Sequence, residues 1–140
     1  MKHNAGTIGY GELNYAKEKG LAFASIQNRA GSFVAPSPAS ATAAIEAFGE
    51  ALANDARTPI VDPPASAKDA YPITGLTFLL VPKDGSDAEQ RRALKDFVQY
   101  TITSGQDSAD NLAYAKLPKS LQQRDLTLLA GLTADGQPLK

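Results

Sequence analysis

An α/β fold is predicted for this chain, and three observations carry it. Residues Leu76 to Val81 are almost continuously apolar, the pattern of a strand covered on both faces. The segment that follows opens with Asp87 and Gln90 at capping-box spacing and continues with Leu94, Phe97, Val98, Thr101 and Ile102 at helical spacing. Upstream, Leu21 to Ile26 alternates large and small residues, and a turn-like Asn28-Arg29-Ala30-Gly31 leads into Ser32-Phe33-Val34, which reads as strand, tight turn and strand.

The remaining elements follow in order. Thr7 to Tyr10 reads as a short strand whose flanking glycines suit close approach to another backbone. Glu12 to Lys19 supplies about two helical turns, with Gly20 where a C-terminal cap glycine belongs. Ser37 is placed to cap a helix whose first residue is Pro38, and the alanine-rich stretch Ala39 to Ala53 carries Ala44, Ile45, Phe48 and Leu52 at helical spacing. Asn54 to Ala70, marked by Pro59, Pro63 and Pro64, is loop-like and forms the internal boundary. The buried strand is expected over Ile73 to Val81, and Ser104-Gly105 ends the helix after it. Gln106 to Ala113 resumes as a helix. Leu121, Leu128, Leu129 and Leu132 mark a last helix before a polar tail at Asp135-Gly136-Gln137-Pro138.

Composition narrows the function classes. The 140 residues are 43% hydrophobic and 21% charged, which is ordinary globular material able to bury a core. Fourteen basic and fifteen acidic side chains leave a formal charge of −1, so no broad field attracts nucleic acid or an anionic membrane. The absence of cysteine removes disulfides, thiolate metal sites and cysteine nucleophiles. The first residues lack the apolar run of a secretion signal, and no segment approaches the length needed to span a bilayer.

The sequence offers little to catalysis. His3 is the only histidine and sits at a terminus, and there is no Gly-x-Ser-x-Gly elbow. HExxH, EF-hand, Walker and GxGxxG patterns are also missing, so no catalytic residue, metal site or cofactor is assigned. Gly6-Thr7-Ile8-Gly9-Tyr10-Gly11 lacks the ending of a phosphate loop. Asp107 and Asp110 lie one helical turn apart and read as a solvated face. Arg91, Arg92 and Lys95 lie opposite the apolar stripe and read as exposed charge on an amphipathic helix. Tyr10, Tyr15, Tyr71, Tyr100 and Tyr114 read as core or rim packing. Helix starts are the best places for an anion, because free N–H groups and the positive dipole end hold an oxyanion without a basic residue. Ser37 before Pro38-Ala39-Ser40 is the open one. Asp87 before Ala88-Glu89-Gln90 is occupied by its own carboxylates.

Six segments, in order, resemble a known family. They are Gly6-Thr7-Ile8-Gly9-Tyr10 followed by Tyr15-Ala16; Leu21-Ala22-Phe23; Gly31-x-x-Val34-x-Pro36; Tyr71-Pro72-Ile73-Thr74 with Thr77-Phe78; Leu112-x-Tyr114-x-x-Leu117-Pro118; and Gly136-x-Pro138-Leu139. Together they look like the C-terminal part of the periplasmic phosphate-binding proteins, the substrate-binding components of phosphate ABC importers. The resemblance implies partial lobes of the type II periplasmic-binding-protein kind, each a mixed sheet flanked by helices. Residues 1–70 would belong to the second lobe, as strand, helix, hairpin, helix and proline-rich linker. Residues 71–140 would complete the first lobe with the buried strand and helices.

In that family an oxyanion is held between the lobes by helix N-termini, hydroxyls, an arginine and a carboxylate from earlier in the chain. Those segments match nothing here, so the ligand-binding residues stay unassigned. A complete relative is expected to bind inorganic phosphate, or the isosteric arsenate, and to present it to an ABC permease from the periplasm. With no signal peptide, the chain as written would stay cytoplasmic. Open sheet edges around Leu76 to Val81 would favour a homo-oligomer, with Pro59 to Pro64 as a hinge for exchanging halves. The alternative from another class is a free-standing, self-associating interaction module without a transport role.

Overall fold

The computed structural model describes residues 6–139. Among the described residues, five α-helices, two short 3₁₀ helices and two small antiparallel β hairpins make up the regular structure, the mixed α/β content expected. The described residues fall into two compact units. The first comprises residues up to Phe48, with Pro59–Gly75 and Ser108–Lys116; the second comprises Gly49–Thr58, Leu76–Asp107 and the residues from Leu117 onward.

In the first unit, helix α1 (Leu13–Glu18) ends in a paired cap. Gly20 N–H donates to Lys17 O and Leu21 N–H to Ala16 O, with Gly20 at φ +58, where a side chain would be strained. Strands β1 (Ile26–Gln27) and β2 (Phe33–Val34) form the expected hairpin, in the register Ile26 opposite Val34 and Gln27 opposite Phe33. It is shorter than expected, because Leu21 to Ser25 form no strand. Helix α2 (Pro38–Ala47) starts at Ser37 as the Ser-Pro pair requires, and buries Ala44 and Ile45. Thr7 to Tyr10 form no strand among the described residues, and Ile8 is 97% exposed.

The second unit is built on helices. Helix α3 (Gly49–Asn54) resumes after a break at Phe48, so Ala39 to Ala53 is two helices rather than one. Helices α3 and α4 (Ala88–Ile102) both pack on α5 (Lys119–Ala130). The core contains Ile102, Leu129, Leu132, Ala134 and Leu139, with Val81, Ala88, Val98, Leu117 and Leu126 against it. Strands β3 (Thr133–Ala134) and β4 (Gln137–Pro138) turn the expected polar tail into a hairpin. Its Asp135-Gly136 loop has φ +48 and +72, the positive pair that a two-residue hairpin turn demands.

Four further expectations are corrected. Ile73 to Val81 form no strand; Ile73 makes a single bridge to Val61, and no backbone group from Leu76 to Val81 has a hydrogen-bond partner among the described residues. A strand needs a neighbour, and the described residues supply none there. Phe97 is 58% exposed, so the α4 stripe narrows to Leu94, Val98, Thr101 and Ile102. Arg91 is not on a solvated face but buried. Its Nη2 donates to Pro82 O (2.6 Å) and Lys83 O (2.9 Å), and its Nε to Thr133 O (3.1 Å), which ties the loop, α4 and the hairpin together. Gln106 to Ala113 become two 3₁₀ turns, Ser104–Ser108 and Asp110–Leu112, instead of a helix. Among the described residues no helix is long and apolar enough to cross a membrane.

Candidate functional site

The open helix start at Ser37 lies beside a shallow cleft of about 550 Å³ in the first unit. Strand β2 brings Phe33 to one side, Ser37 and Ser40 stand at the start of α2, and Lys68 with Asp69 forms the facing wall. That wall is positioned by one buried side chain. Asn28 Nδ2 donates to Lys68 O (2.8 Å) and Ala70 O (3.1 Å), while its Oδ1 accepts from the backbone N–H groups of Ala30 and Ser32 (both 3.1 Å). Arg29 adds a second tie across the unit through Nε and Nη2 to Asp62 Oδ2 (3.1 and 2.7 Å).

The helix start is largely consumed by its own cap. Ser40 N–H donates to Ser37 Oγ (3.0 Å), Ser37 N–H donates to Ser40 Oγ (2.9 Å), and Ser40 Oγ also reaches Ala35 O (2.9 Å). Pro38 has no N–H. Of the first turn, only the Ala39 N–H has no partner among the described residues, and the adjacent Lys68 and Asp69 charges oppose each other. One amide and a few hydroxyls suit a weakly held polar group. They do not make an oxyanion grip, which needs several converging donors.

The other candidates are dispersed. Asp87 Oδ1 accepts from both Glu89 and Gln90 N–H (3.0 Å each), so the α4 start is filled as expected. Asp107 and Asp110 stand on two separate 3₁₀ turns rather than one helical face, and Asp110 lies 3.6 Å from Lys116 Nζ. Arg91 is buried, and the half-buried Lys95 donates to Leu139 O (3.4 Å), so the expected basic face is broken up. His3 lies outside the described residues. Of the tyrosines, Tyr10, Tyr15, Tyr100 and Tyr114 are exposed rather than packed, and Tyr71 is half-buried. Tyr114 donates to Glu12 Oε2 (2.6 Å), and that carboxylate raises its hydroxyl above the usual tyrosine value. Among the described residues no three His, Asp or Glu side chains gather as a metal site would require.

Two residues that order these units escaped the reading of the sequence as anything more than turn or loop. Asn28 was legible only as a turn former, although asparagine at a turn commonly bonds backbone two residues on. Asp84 Oδ1 accepts from Thr133 Oγ1 (2.6 Å) and Gly136 N–H (3.1 Å), and these bonds, the threonine's first, lower its carboxyl below the ordinary aspartate range.

No protein-family model matches the chain. Over 116 residues it is 39% identical to the phosphate-binding protein PstS of Xylella fastidiosa (strain Temecula1), covering 83% of this chain and 31% of that protein. It is 33% identical over 126 residues to the phosphate-binding protein PstS of Pasteurella multocida, covering 84% of this chain and 34% of that protein. The phosphate-binding protein PstS of Methanocaldococcus jannaschii is 33% identical over 133 residues, with 86% and 33% covered. The chain spans about a third of the length of the curated relatives it matches.

Proposed function

The chain is a partial piece of the PstS family of phosphate-binding proteins, and from that premise we propose that it is scaffold within a phosphate-capturing protein. In a complete member, residues 1–70 contribute to the second lobe and 71–140 complete the first, in the manner of periplasmic type II binding proteins. The whole protein takes inorganic phosphate, or the isosteric arsenate, in the periplasm and delivers it to an ABC permease without performing chemistry on it.

One observation carries the scaffold assignment: the best anion-facing helix start in this chain spends its amides on its own serine cap and leaves only the Ala39 N–H. The grip therefore belongs to the two thirds of the relatives that this chain does not match. Calorimetric titration with phosphate tests the reading. No stoichiometric binding is expected for the chain alone, and binding is expected once the unmatched portion of a relative is supplied. Tight stoichiometric binding by the chain alone overturns the scaffold assignment, and silence from the complemented assembly overturns the phosphate reading.

The second reading, a self-associating module without transport, is favoured by the exposed run Phe78, Leu79 and Leu80. Light scattering at micromolar concentration separates the two. A stable dimer that ignores the unmatched portion supports the module.

A further inference from the structure

We propose that Asp135-Gly136 is a self-modification site: its aspartate isomerises to isoaspartate through a cyclic succinimide, and the Asp84 carboxylate restrains the reaction by holding the Gly136 N–H. The inference does not depend on the phosphate reading.

The chain holds two Asp-Gly pairs, Asp84-Gly85 and Asp135-Gly136. Glycine, having no Cβ, leaves its backbone nitrogen the least hindered for attack on the preceding side chain. That nitrogen bonds to the aspartate Cγ, and its proton leaves with the carboxyl hydroxyl as water. A second water then opens the ring at either carbonyl. One opening restores aspartate, and the other leaves a main chain routed through Cβ and Cγ.

The two pairs face each other, and the structure treats them differently. Asp84 Oδ1 accepts from Thr133 Oγ1 (2.6 Å) and Gly136 N–H (3.1 Å), while Asp135 N–H donates to Gly85 O (2.9 Å). The Thr133 bond first, then the Gly136 bond, hold the Asp84 carboxyl below the ordinary aspartate range. An ionised carboxylate cannot shed an oxygen as water, so Asp84 is a poor target. Gly85 is also hemmed in, since a Cβ there would stand 3.0 Å from Arg91 Cδ.

Asp135 has none of these restraints. It is exposed, and its side chain has no partner among the described residues. No heavy atom lies within 4 Å of where a Cβ on Gly136 would stand. Only the β3–β4 hairpin, two residues to a strand, and the bond to Asp84 keep the Gly136 nitrogen from that carboxyl. So small a hairpin opens locally without global unfolding, and each opening frees the nitrogen.

The product cannot re-form the turn. An isoaspartyl linkage adds one backbone atom between strands whose register, Thr133 opposite Pro138 and Ala134 opposite Gln137, depends on a two-residue loop. Gly136 N–H then loses Asp84, and the buried Leu139 loses its seat in the core.

The test incubates the intact chain in buffer made with heavy-oxygen water and maps its isoaspartyl peptides by chromatography and mass spectrometry. Isoaspartate carrying heavy oxygen is expected at 135 and not at 84. Asp84→Ala is expected to raise the rate at 135 by about tenfold, the effect of losing a hydrogen bond to a charged group. Thr133→Val keeps both carboxyl groups and the Gly136 bond, and is expected to raise it less. Wild type in urea sets the rate of the open chain, and a Thr133→Val rate between that and folded wild type separates a weakened restraint from a lost fold. Isoaspartate forming at 84 as fast as at 135 overturns the inference. So does its absence at 135 over a period in which the urea-unfolded chain accumulates it, or an Asp84→Ala rate no faster than wild type.

Discussion

Asn28 Nδ2 lies 2.8 Å from the carbonyl oxygen of Lys68, a contact that joins the β1–β2 turn to a segment forty residues away in sequence. The side chain is buried, and both its donor and its acceptor are used. Truncation strands four backbone groups at once. Asn28→Ala is expected to cost about 2 kcal/mol by urea unfolding. Asn28→Asp should cost more, since it turns a carboxylate oxygen toward the Lys68 and Ala70 carbonyls. An Asp variant as stable as the Ala variant would contradict this orientation of the amide.

The Arg91 guanidinium performs the equivalent task in the second unit, with three carbonyl acceptors and almost no exposure. Its bonds leave two separate nitrogens of one planar fork, Nε and Nη2, whereas a lysine ammonium donates every N–H from a single nitrogen. Arg91→Met is therefore expected to destabilise by about 3 kcal/mol, and Arg91→Lys to recover less than half of that loss. Unfolding of both variants beside wild type checks the ranking; a loss below about 1 kcal/mol, as for an ordinary surface site, would refute the clasp.

Helix α4 separates two residues that look alike in sequence. Ile102 is 8% exposed within the core, and Phe97 is 58% exposed. Ile102→Ala is expected to cost about 2–5 kcal/mol and Phe97→Ala less than about 1 kcal/mol. Thermal or urea unfolding that ranks them the other way would place Phe97 in the core after all.

These residues also show what the sequence could and could not disclose. Helix starts were legible because capping is local: Ser37-Pro38 and Asp87 each announce a start within three residues. The β1–β2 hairpin was legible from its turn, though not its length. The strand at Ile73 to Val81 was misread, because an apolar run reports affinity for a sheet and cannot report whether a neighbour is present. Arg91 was misread for a related reason. Its acceptors at Pro82, Lys83 and Thr133 are backbone oxygens, which leave no mark on the identity of the residues that carry them. The Asp135-Gly136 hairpin had a readable signal, a two-residue Asp-Gly turn, hidden by the polar residues around it. At the candidate cleft, the serine cap was foreseen but its reciprocity was not, and that reciprocity removes the amides an anion would need.

Acid titration distinguishes the Asp84 clasp from simple packing. The Thr133 hydroxyl and then the Gly136 N–H hold its carboxyl below the ordinary value of 3.8. A carboxylate whose folded pKa is depressed gives its full stabilisation above the unfolded value and loses it as pH falls through the lower folded one. Asp55, held at about 2 by its bond from Arg57, acts with the same sign. Asp125 has the opposite sign: burial raises it, so its charged form is disfavoured in the fold and acid relieves the penalty. Removing Asp84 should subtract only its own part of this profile. Asp84→Ala is expected to lower the urea midpoint at neutral pH, and the gap from wild type should shrink as the pH is taken below 3.8. A gap that stays constant through that range would mean that Asp84 holds the β3–β4 hairpin by shape and not by its charge.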